Sequence, residues 1–82
     1  MNKERRIKLS KITKALNKIM EEIEDIEEDE DEAFENLPDS IASSERGDQM
    51  TEFIALLNES RDDLESAIEK LEEVHTTEQA IG

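Results

Sequence analysis

The only histidine, His75, follows Glu72 in a Glu-x-x-His spacing, which on a helix sets a carboxylate and an imidazole on one face. That is half of a di-iron site; the other half requires carboxylates projecting from facing helices. The register derived below sets His75 opposite Lys8 and a basic segment, so a second chain would have to supply the missing Glu. A histidine in the last turn of a helix, favourable to the helix dipole, accounts for the spacing without a metal. Asp25, Asp29, Asp31 and Glu32 bring four acids together, but a calcium loop needs acids at alternating positions and a glycine at the sixth. There is no Cys or Tyr, no Ser or Thr placed near a histidine and an acid, and no glycine-rich phosphate loop, so nucleophilic and phosphoryl chemistry have nothing to work with. With no Cys and one His, disulfides and zinc sites are also excluded. The residues point to a protein without catalysis, metal or cofactor.

What the chain has in abundance is negative charge. Residues 21–35 hold eleven acids and no base. About a dozen like-charged pairs at i,i+3 or i,i+4, each costing roughly 0.2–0.5 kcal/mol, lie toward the C-terminal end of a helix, where the dipole also disfavours anions. A solvated helix face is the plain explanation of such a run, yet a cost of this size in a small domain suggests a use. Eleven charges along roughly 22 Å of helix is about one per 2 Å, against one per roughly 1.7 Å on duplex DNA. Glu21, Glu24, Asp25, Glu27, Glu28, Asp29, Asp31, Glu32 and Glu35 are therefore the expected partner-binding residues, facing a basic surface of the kind that binds nucleic acid. Direct binding of nucleic acid is not expected at a net charge of −14, since the basic residues 3–18 have an acidic neighbouring helix and no interleaved aromatics.

Two helices have to position these groups. Apolar residues recur at Leu9, Ile12, Leu16, Ile19, Ile23, Ile26, Ala33 and Leu37, in steps of three and four broken only by Glu30. The pattern resumes at Met50, Phe53, Leu57, Leu64, Ala67, Leu71 and Val74, with Ser60 as its weak point. These are heptad seams with the a and d positions apolar. Pro38 ends the first helix, Pro38 to Ala42 allow one extra turn, and Ser43 or Ser44 is a good N-cap. The expected organisation is one domain over 1–82: a helix at 3–36, a connector at 37–43, a helix at 44–76 and a flexible tail at 77–82. Similar lengths and a short connector call for an all-α antiparallel coiled-coil hairpin. Pairing residues whose numbers sum to 83 matches every a position with a d position, for example Ile26 with Leu57, Ile19 with Leu64 and Leu9 with Val74.

That hairpin sets residues 1–20, net +6, beside residues 53–82, net −6, and leaves the −14 of residues 21–52 at the loop end. Arg46, the one base in the tip, faces Leu37 and is expected to close the turn onto the end of the first helix. Gly47, costly in a helix, is expected to permit close backbone approach. Met20, Phe34, Ile54 and Ile68 fall at e positions and Leu56 at g, beside the seam, and widen the apolar stripe,. They are the expected oligomer interface, dimerising two hairpins into a four-helix bundle, which also suits a chain this small with no disulfide or metal to stabilise it.

No apolar run follows the charged start and none approaches a membrane span, so a soluble cytoplasmic protein without a membrane partner is expected. The stretch Asp31-Glu32-Ala33-Phe34-Glu35-Asn36-Leu37-Pro38-Asp39-Ser40-Ile41, with Ser43-Ser44-Glu45-Arg46-Gly47 and the opening Lys3-Glu4-Arg5-Arg6, resembles small acidic proteins encoded by phages, prophages and mobile elements of bacteria. The resemblance implies a phage-related setting, with no assigned activity. By analogy with small acidic phage proteins as a class, it suggests an inhibitor that contacts a host or phage protein.

Overall fold

The computed structural model describes residues 1–76. They form α1 (Lys3–Glu35), α2 (Asp39–Ala42) and α3 (Glu45–Thr76). Asn2 caps α1: its backbone is extended and its side-chain oxygen accepts from the Arg5 N–H at 2.8 Å,. At the other end the Asn36 and Leu37 N–H groups turn back to the carbonyls of Glu32 and Phe34, each at 3.1 Å. Pro38 then disfavours helical geometry at Leu37, and the helix stops.

The single turn of α2 is the extra turn anticipated after Pro38, whose carbonyl accepts from both Ile41 and Ala42 at 2.9 Å. Ser44 does not cap α3 with its side chain. Its hydroxyl donates backward to the Ile41 carbonyl, and it is the Ser44 backbone carbonyl that accepts from Asp48 at 3.0 Å. Gly47 is buried where α3 crosses α2. A Cβ there would lie 2.7 Å from the Ile41 carbonyl oxygen, and closer still to the Ala42 carbonyl group. These are backbone atoms that cannot rotate away, so the close approach requires glycine.

α1 and α3 run antiparallel as a rod of 62 × 15 × 12 Å with a radius of gyration of 18.5 Å, where a compact chain of this length would have about 12 Å. The register differs from the one expected. Thr13 Oγ1 lies 3.4 Å from His75 Nε2, and Glu27 Oε1 lies 3.2 Å from Arg61 Nε, so opposing residue numbers sum to 88. Both contacts join e positions. Exposure follows the same columns: the a residues Leu16, Ile23, Leu57, Leu64 and Leu71 are half-buried, and the d residues Ile12, Ile19, Ile26, Ala33, Phe53, Ala67 and Val74 are all exposed. Each helix is thus rotated by about 50°, half of one residue step, from the expected a/d seam to an a/e seam.

This corrects the apolar surplus as well. Ile68 is buried at 4 % exposure, the one apolar side chain buried to that degree among the described residues, and by register it lies level with the half-buried Met20. Phe34 and Ile54 form a similar level. Of the five residues expected to face a second chain, only Leu56 is exposed, at 51 %; Ile68 is buried and Met20, Phe34 and Ile54 are half-buried within the single hairpin. The expected tail, 77–82, lies outside the described residues.

Candidate interaction surface

The acidic helix face is built by α1, and the register decides which of its carboxylates reach solvent. Glu21, Asp25, Glu28, Asp29, Asp31, Glu32 and Glu35 are exposed, Glu24 is half-buried, and Glu27 is buried. Glu27 is committed to α3: it pairs with Arg61, which also stands 3.8 Å from Glu24. Neither Glu27 Oε1 nor Arg61 Nε completes a hydrogen bond, so the pair is held by charge rather than by directed bonding. Among the nine expected partner-binding residues, Glu27 is thereby an internal tie.

The register also redistributes charge along the rod. Residues 53–67 face the acidic residues 21–35, where the expected register set 63–67 against residues 16–20 of the basic segment. The stretch 21–67 contains nineteen acids against Arg46 and Arg61, a net −17. The opposite end, residues 3–20 with 68–76, has eight bases against Glu4, Glu69, Glu72 and Glu73, a net +4. The molecule is bipolar, not a neutral rod with an anionic tip. Arg46 does not close the turn as expected: it is exposed, and among the described residues its side chain has no hydrogen-bond or ion-pair partner. With Glu45, Asp48, Gln49 and Glu52 it lines a shallow open depression on α3. Steric fit at Gly47, not a cation at Arg46, shapes the connector.

His75 faces Thr13 instead of Lys8. Thr13 is buried, and its hydroxyl donates to the Ser10 carbonyl at 2.9 Å; His75 Nε2 approaches the Thr13 hydroxyl oxygen. Among the described residues no three His, Asp or Glu side chains converge as metal ligands, and no helix is long and apolar enough to cross a membrane.

A second surface was not anticipated. In an antiparallel pair, equal heptad positions of both helices fall on one flank, so the exposed d columns of α1 and α3 make a single apolar face. Ile12, Ile19, Ile26, Phe53 and Val74 are each 45 to 50 % exposed on it, and Leu56, at a g position, lies along its edge. Reading the e columns against one another could have revealed this: Glu27 with Arg61 and Met20 with Ile68 are complementary only in the sum-of-88 register.

Fold and surface together define an acidic helical hairpin with one charged face and one apolar flank. A scan of protein-family models, a search of curated proteins and a search of solved structures each find no match to the chain.

Proposed function

We propose that this protein is a non-catalytic, cytoplasmic interaction module whose anionic half occupies a basic, nucleic-acid-binding surface on another protein, in the manner of a phage-encoded inhibitor or nucleic-acid mimic. The observation that supports it best is the net −17 of residues 21–67, with eight carboxylates of residues 21–35 exposed on α1. A groove shaped for a polyanion would meet a comparable field. The test is capture of a partner from bacterial lysate with the intact protein, followed by titration with salt and with duplex DNA or RNA. Binding should weaken steeply with salt, because charge attraction is screened over about 10 Å at 0.1 M, and nucleic acid should compete. Changing Glu28, Asp29, Asp31 and Glu32 to Gln or Asn should abolish binding and leave helicity intact or higher, since it relieves repulsion along α1. A complex indifferent to salt and to nucleic acid would remove this reading.

A second reading is a structural or assembly protein, dimerising into a four-helix bundle in which charge mainly confers solubility. It is supported by the exposed apolar flank beside a hairpin interior that fully buries little apolar surface. Under it, neutralising the four acids would leave assembly unchanged.

A further inference from the structure

We propose that the apolar flank is covered by a second copy of this chain, packed antiparallel so that the basic end of each hairpin lies over the acidic half of the other. The inference rests on the assembly reading and adds the face, the occupant and the orientation. The hairpin alone leaves five large apolar side chains of the flank 45 to 50 % exposed, while Ile68 is the one buried large apolar side chain among the described residues; a chain of this size needs more burial than that. The rod offers a face of 62 by 15 Å, about 900 Å² per copy, which matches the roughly 800 Å² per partner of a standard stable interface.

Packing and charge then select the arrangement. An antiparallel two-fold centred near residue 23 sets Ile12 and Val74 of one copy level with Ala33 and Phe53 of the other. The next layer joins Ile19 and Ala67 to Ile26 and Ser60, so each layer mixes large and small side chains. A parallel two-fold would fill its layers about as well but would stack two halves of net −17 on each other. The antiparallel one sets +4 against −17 at both ends, and electrostatic complementarity of this kind fixes orientation.

The experiment uses the full chain, which has no native cysteine. Sedimentation equilibrium should show a dimer, and Ile19→Lys with Ile26→Lys should raise its dissociation constant at least about tenfold by burying unpaired charge. Separately, chains with Ile12→Cys and chains with Ala33→Cys, mixed and mildly oxidised, should give the 12–33 crosslink in large excess over either self-crosslink. A dimer that instead joins Ile12→Cys to Val74→Cys overturns the orientation and leaves the assembly reading standing. A dimer that keeps its mass with both lysines overturns the choice of face. A monomer at about 100 µM, far above the dissociation constants of specific interfaces, overturns the inference and the assembly reading together.

Discussion

Two carboxylates in the same acidic run have opposite roles, and the difference comes from what α3 sets against them. Glu27 is buried at 7 % exposure with the Arg61 guanidinium 3.2 Å away. Arg61→Met should therefore destabilise the hairpin by about 1–3 kcal/mol in chemical denaturation, because a buried carboxylate loses its counter-charge. Adding Glu27→Leu should restore most of that loss, as apolar replacement of a buried pair commonly does. A double variant no better than the single one would show that the pair is not the source of the effect. Among the described residues Glu30 has no such cation. It is half-buried at an a position level with Leu57, so Glu30→Leu should raise stability by on the order of 1 kcal/mol through seam packing and relief of like-charge pairs. An unchanged melting temperature would place its carboxylate in solvent.

At the scale of the elements, the connector and the seam act together to fix the register. Gly47 brings α3 against the Ile41 and Ala42 carbonyls, and the e columns continue in step from there to Thr13 and His75. Gly47→Ala gains about 1 kcal/mol of helix propensity and should still lose roughly 1–3 kcal/mol net from the backbone clash. A thermal melt showing stabilisation would mean that α2 can shift at little cost. The register itself is testable with cysteines at Met20 and Ile68, which should crosslink within one chain under mild oxidation at low concentration. Efficient closure between Ile19 and Leu64 instead would reinstate the sum-of-83 pairing.

For the whole molecule, separation of charge is the governing property. One half has a net −17 and the other +4, so repulsion within the acidic half opposes folding at low salt. Raising NaCl from about 10 mM to about 150 mM shortens the screening length from roughly 30 Å to 8 Å, and the melting temperature should rise. A fall would show that attraction between the two ends outweighs that repulsion. The helical state of this chain, its break at Pro38, its need for glycine at position 47 and the concentration of acid in residues 21–35 were legible in the sequence, because propensity, chain stereochemistry and charge are properties of residues and their near neighbours. Which of two adjacent columns closes the hairpin was not legible in the periodicity of either helix read alone. The a column is shared by both solutions, and the d column is the more apolar, so periodicity alone favours d. Only the tertiary structure sets Glu27 against Arg61 and Thr13 against His75, contacts across 34 and 62 residues of chain whose energy depends on a register no local pattern contains. The same rotation, once made, turned Ile12, Ile19, Ile26 and Phe53 outward and drew Met20 and Ile68 in, since a two-helix seam has room to bury only one pair of neighbouring columns.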